Sequence, residues 1–155
     1  MIVEENSDKL INKHPGGCVC GSLRYEVSGE PERIIVCHCH FCQRRTGSAF
    51  AIIPMFEKKH VLFNEGEKKV FRSFPNEYGR WLDLQFCPNC GANVGFTLEL
   101  LPELQAIDAG TLDNSEWLDP ENPKLKHIFT EAACHLNKPM VCTDLFAAVR
   151  VGSLH

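Results

Sequence analysis

Residues 80–91 read Arg80-Trp81-Leu82-Asp83-Leu84-Gln85-Phe86-Cys87-Pro88-Asn89-Cys90-Gly91. Leu82, Leu84 and Phe86 fall on one side of an extended chain and Trp81, Asp83 and Gln85 on the other, the period-two pattern of a half-buried strand. That strand delivers two cysteines around a tight turn, where both thiolates can chelate one zinc while turn amides hydrogen-bond them. Gly91 suits the residue after such a turn, where a positive φ and the absence of a Cβ help. A knuckle of this kind supplies two ligands, and a closed tetrahedral site needs two more. The segment therefore predicts a β domain folded around metal, with the remaining ligands elsewhere in the chain.

Upstream, Cys18-Val19-Cys20 is the natural donor pair, set beside Gly16, Gly17 and Gly21. Joined to Cys87 and Cys90 it would staple the beginning of the domain to its middle, as a structural site. The other reading of Cys18 and Cys20 is as small buried residues that ligate nothing. Between the two pairs lies Cys37-His38-Cys39-His40-Phe41-Cys42. Three thiolates from one short segment fill three corners of a tetrahedron and leave the fourth free, the arrangement of catalytic zinc. An open corner can polarise a carbonyl oxygen, or take a substrate thiol and deprotonate it. The competing reading is a second structural zinc completed by His38, His40, His135 or a distant cysteine, and spacing alone allows other divisions of the thiols. His38 and His40 are not taken as ligands. Arg44 and Arg45 follow the group and offer guanidinium forks to the carboxylates of an acidic thiol. Cys134 and Cys142 stand apart and read as small buried residues or free thiols.

The rest of the chain is read as mostly β, with little helix. Leu23, Tyr25 and Val27 alternate with polar residues until Gly29-Glu30-Pro31 ends the strand. Ile34 to Val36 leads into the middle cysteine group, and Ala49 to Ile53 leaves it, stopped by Pro54. Further strands are expected at His60 to Phe63, Lys69 to Phe74, Asn93 to Leu98, Gln105 to Ala109 and His127 to Ala132. Cys39 to Thr46 is the one predicted helix, with Gly47 as its terminator. The stretch Leu118 to Lys126 reads as a surface loop. Phe41, Phe50, Phe86, Phe96 and Trp81 are assigned to the core rather than to a substrate platform.

A chain of 155 residues, 44% hydrophobic and 23% charged, is expected to form one domain over 1–155. It has no apolar run long enough for a membrane span, and its first residues are acidic and polar, so a cytoplasmic protein with no membrane partner is expected. Sixteen Lys plus Arg against twenty Asp plus Glu give a net charge of −4, which argues against a basic face for nucleic acid. The cysteines number nine, an odd count, and cluster at one- and two-residue gaps, which favours metal over disulfides.

Taken together, Gly17-Cys18-Val19-Cys20-Gly21-Ser22-Leu23-Arg24-Tyr25, Cys37-His38-Cys39-His40-Phe41-Cys42-Gln43-Arg44-Arg45-Thr46-Gly47-Ser48-Ala49-Phe50 and Phe86-Cys87-Pro88-Asn89-Cys90-Gly91 closely resemble the glutathione-dependent formaldehyde-activating enzyme family, which includes centromere protein V. The likeness continues in Ala109-Gly110-Thr111-Leu112-Asp113 and His127-Ile128-Phe129, and covers roughly Pro15 to Ala133. The resemblance implies a β-tent fold, small antiparallel sheets around two zinc ions per chain. It implies a structural zinc on Cys18, Cys20, Cys87 and Cys90 and a catalytic zinc on Cys37, Cys39 and Cys42. The implied activity is that of a carbon–sulfur lyase resembling S-(hydroxymethyl)glutathione synthase, with glutathione and formaldehyde as partners and Arg44 and Arg45 as contacts for the thiol's carboxylates. Family members often carry a Pro-Trp pair where this chain reads Cys134-His135-Leu136. The rival expectations are a zinc-stabilised binding module without catalysis, and a thiol redox or metal-handling role.

Overall fold

The alternation at Leu23, Tyr25 and Val27 sets the first sheet, because one face of that strand is apolar and must be covered. The computed structural model describes residues 12–75 and 79–135. Its strands are β1 (Lys13–Gly17), β2 (Arg24–Ser28), β3 (Arg33–Cys37), β4 (Ala51–Glu57), β5 (Val61–Glu65), β6 (Lys69–Ser73), β7 (Leu82–Phe86), β8 (Asn93–Leu98), β9 (Leu104–Ile107) and β10 (Leu125–Ile128). One α-helix, α1 (His40–Thr46), follows β3, and short 3-10 turns span Lys58–His60, Ala109–Thr111 and Thr130–Ala132. A three-stranded sheet has the order β1-β2-β5, and a seven-stranded sheet the order β10-β3-β4-β9-β8-β7-β6. The protein is thus mostly β, as expected. All strand pairs are antiparallel except β10 on β3, which is parallel. Among the described residues no helix is long and apolar enough to cross a membrane.

Three local expectations are corrected. Pro54 does not stop its strand but sits inside β4, opposite Ile34. The Met55 carbonyl accepts from the Glu32 N–H on the β3 side, so Pro54 turns its missing N–H the other way, and pairing with β9 begins only at Met55. The stretch His127 to Ala132 is not one strand: β10 ends at Ile128 because Phe129 takes a left-handed φ of 56° and a 3-10 turn follows. β1 was not expected, since Lys13-His14-Pro15-Gly16-Gly17 has no apolar alternation. It forms because β2 offers a full partner register from Lys13 to Gly17, and because Gly16 leaves room for the Tyr25 ring, which a Cβ there would meet at 2.5 Å.

Two buried clusters fill the interior, one holding cysteines of the first and last groups and the other those of the middle group. Leu23, Tyr25, Val27, Phe56 and Ile107 pack with Cys18 and Cys87. Ile53, Met55, Leu84, Phe96 and Ala106 pack with Cys37 and Cys42.

Gly66, at φ 77°, closes the turn after β5 directly over Ser22, and a Cβ there would lie 1.8 Å from the Ser22 carbonyl oxygen. The clash is with backbone and the φ is left-handed, so neither strain can be relieved by a rotamer change. Gly66→Ala is expected to destabilise the fold by about 2–4 kcal/mol. A denaturant titration showing a loss below about 0.5 kcal/mol would contradict this packing.

Candidate metal centres and the cleft above one of them

The turn after β1 and the turn after β7 bring the first and last cysteine groups together. The Sγ atoms of Cys18, Cys20, Cys87 and Cys90 all lie within 4.8 Å of one another. A zinc ion with Zn–S bonds of about 2.3 Å separates its sulfurs by about 3.8 Å. Cys18 and Cys20 are 3.4 Å apart and Cys20 and Cys87 3.8 Å, so four thiols fit a tetrahedral thiolate site. Donors are already in place: Leu23 N–H reaches Cys18 Sγ at 3.2 Å and Asn89 Nδ2 reaches Cys20 Sγ at 3.3 Å. The Ser22 hydroxyl lies 3.0 Å from Cys20 Sγ and 3.3 Å from Cys87 Sγ. Ser22 is the first cause that pulls the Cys20 thiol down to about 5, and it lowers Cys87 too. Sequence reading did not single out Ser22, whose signal was only its place two residues after a ligand.

The middle group is local. Cys37 ends β3, Cys39 caps α1 and accepts the Cys42 N–H at 3.4 Å, and Cys42 lies in the first turn of the helix. Gly47 ends α1 at φ 65°, as expected from its position. The three sulfurs lie within 4.8 Å of one another, with Cys37 and Cys39 at 3.4 Å. Three soft donors at such spacing fit a metal such as zinc, with no fourth His, Cys, Asp or Glu ligand grouped with them among the described residues. The Cys42 thiol is pulled down to about 6, first by its hydrogen bond with Cys37 and then by the neighbouring Arg45 cation. The same contact, together with burial, pushes Cys37 up.

Arg45 does not face outward. Its fork binds both Asp108 oxygens, at 2.7 and 2.6 Å, and its guanidinium lies 4.9 Å from the Phe96 ring centre. Only 4% of the Arg45 side chain is exposed, and a guanidinium so buried requires a full carboxylate partner. Its geometry is that of a brace beneath Cys42, whereas Arg44 is exposed on the helix. Asp108 in turn fixes Thr111, whose hydroxyl meets the buried Tyr25 hydroxyl at 2.7 Å, so a polar chain connects the two buried clusters.

His38 is buried, and its Nε2 lies 3.1 Å from His127 Nδ1 on β10. Burial lowers both histidines below the usual range, and His127 lowers His38 further. Gln43 donates to the carbonyls of His38 and Ala132, tying α1 to the turn after β10. His135 is exposed, Cys134 is a half-buried free thiol, and Cys142 lies outside the described residues.

Above Cys37, Cys39 and Cys42 opens a cleft of about 770 Å³. Phe41, Trp81 and Phe96, assigned to the core from sequence, line it, as do His40 and Phe129. The walls were not legible as a motif, because they come from β3, α1, β4, β7, β8, β10 and the loops beside them.

The sequence model of a family described as glutathione-dependent formaldehyde-activating enzyme matches residues 13–132. A crystal structure of a Rhodobacter sphaeroides protein, 21% identical, superposes with a TM-score of 0.53 over 72% of this chain and 99% of that one. At that identity the likeness speaks for the fold alone.

Proposed function

The chain belongs to the glutathione-dependent formaldehyde-activating enzyme family, and from that premise we propose that it is a zinc-dependent carbon–sulfur lyase. Its substrates are then a small thiol of the glutathione kind and an aldehyde such as formaldehyde, or a related thiol adduct. The observation that carries the reading is the contrast between the two cysteine sets. Four thiols form a complete ligand shell fixed by Ser22, Leu23 and Asn89. Three thiols form an incomplete one that lines a cleft large enough for a substrate.

Zinc bound to three thiolates supplies a Lewis acid and lowers the pKa of a thiol or polarises a carbonyl. In the addition, the thiol sulfur forms a bond to the carbonyl carbon, the C=O π pair moves to oxygen, and the thiol proton ends on that oxygen. No oxidant or reductant is required. The chain's own contribution is to hold the three sulfurs rigidly through the α1 cap and the Arg45–Asp108 pair, and to shield the reacting atoms from water with the apolar walls. Stable thiolates of this kind suit a reducing compartment, which supports a cytoplasmic location.

Protein purified without chelator is expected to hold two zinc ions per chain and to accelerate the consumption of formaldehyde by a thiol, measured by metal analysis and by aldehyde depletion. Two ions without turnover of any thiol and aldehyde pair would leave a zinc-stabilised binding module instead. His40 lines the cleft beside Cys39, and an imidazole is the side chain most often used as a general acid or base. His40→Ala is expected to lower kcat by about 10²-fold with zinc content unchanged, within the range for general acid–base groups. A kcat within twofold of the parent would remove His40 from the reaction.

A further inference from the structure

The cleft's composition constrains what it takes. Among the described residues that line it, no side chain is acidic, and the guanidinium groups are those of Arg33 and Arg80. Most of the remaining surface is hydrocarbon.

The register of β3 adds a direction. Side chains alternate along a strand, so Arg33, Ile35 and Cys37 project to one face, and all three line the cleft. On the neighbouring strand Met55 stands opposite Arg33 and Ile53 opposite Ile35, and both also line it. From Cys37 to Arg33 the strand advances about 13 Å, at about 3.3 Å per residue. The floor is thus a thiol end, an apolar stretch of Ile35, Ile53 and Met55, and a cationic end. Phe129 also lines the cleft, 53% exposed and held at φ 56°, a backbone conformation that costs free energy for a residue with a Cβ.

We propose that the aldehyde reacting at Cys37, Cys39 and Cys42 is an elongated, largely apolar molecule whose far end is a carboxylate bound by Arg33. The inference rests on the lyase reading for the reaction and adds the substrate class. It places hydrocarbon of about eight to ten carbons along Ile35, Ile53 and Met55, a length set by the distance along β3.

The test is binding to the zinc-loaded full chain, read by quenching of Trp81 fluorescence and by calorimetry, with octanoate, octanamide and butanoate as unreactive probes. The chain's other tryptophan, Trp117, stacks on His14 at 3.8 Å and does not line this cleft. Octanoate is expected to bind at least about tenfold more tightly than butanoate, since each buried methylene contributes about 0.8 kcal/mol. It is also expected to bind at least about tenfold more tightly than octanamide, and Arg33→Ala is expected to erase that second preference. Equal affinity for the long and short acids, a preference for acid over amide that survives Arg33→Ala, or quenching that persists in Trp81→Phe would each overturn the proposal. Turnover of thiol and formaldehyde is measured on the same preparation. Turnover without octanoate binding leaves the lyase standing and removes this substrate class. Arg33-dependent binding without turnover removes the lyase and leaves the ligand class.

Discussion

Cys42→Ser is expected to abolish turnover, below about 10⁻³ of the parent rate, while the protein still melts cooperatively and retains one zinc ion per chain instead of two. The rate loss follows from the geometry of an incomplete shell. Three sulfurs within 4.8 Å of one another would hold the ion, and a serine hydroxyl is neither ionised at neutral pH nor soft enough to replace one of them. Catalysis that depends on a metal is lost in full when the metal leaves, so the effect exceeds that of a residue which only positions substrate. The fold survives for a separate reason. Cys42 lies in the first turn of a seven-residue helix, and its cluster keeps Ile53, Met55, Leu84 and Phe96. Replacing a buried thiol with a hydroxyl costs about 1–3 kcal/mol, less than the stability of an ordinary domain. An unaltered rate in a protein that retains both ions would refute the assignment of the reaction to this group.

Cys87→Ser is expected to have the opposite profile, with loss of the folded state. Cys87 is fully buried, and its sulfur meets that of Cys20 across 67 positions of sequence. A structural zinc contributes about 10–16 kcal/mol of apparent binding free energy, comparable with or larger than the whole net stability of about 5–15 kcal/mol. Removing one ligand leaves three thiols around Ser22 and frees the turn after β1 from the turn after β7. Near-ultraviolet circular dichroism and resistance to protease report the outcome, and a variant as resistant as the parent would mean that the hydrophobic cluster of Leu23, Tyr25 and Phe56 suffices without metal. The two substitutions together test the division of the thiols, since one should remove activity and keep structure and the other should remove both.

The two candidate metal-binding cysteine sets were legible because the cysteines within each motif are close in sequence. Cysteines separated by one or two residues can converge with little help from the rest of the chain, and the strand before Cys87 announces itself by alternation. What escaped sequence reading depends on distant partners. β1 is written in glycine, proline and charge, and exists because β2 presents an edge to it. β10 pairs in parallel with β3 only after the whole of the larger sheet has been laid down between them. Arg45 resembles a solvated charge at a helix end, and nothing near it in sequence shows that Asp108, 63 positions on, will take both arms of its fork. The cleft walls are harder still, since several strands give one to three residues each, most of which read equally well as core. Phe96 does both, being 6% exposed and lining the cleft.

The parallel pairing of β10 with β3 also sets an order of events during synthesis. His38 and His127 are 89 positions apart, and Ile128 and Phe129 complete the cleft from the same late segment. A ribosome adding about 5–20 residues per second releases the Cys37–Cys42 thiols several seconds before the strand that flanks them. Throughout that interval the segment lacks the β10 strand that pairs with β3 in the folded protein. The four-thiol set cannot close until Cys90 has been made. A nascent chain therefore exposes its three-cysteine segment first and can bring its long-range four-thiol set together only second.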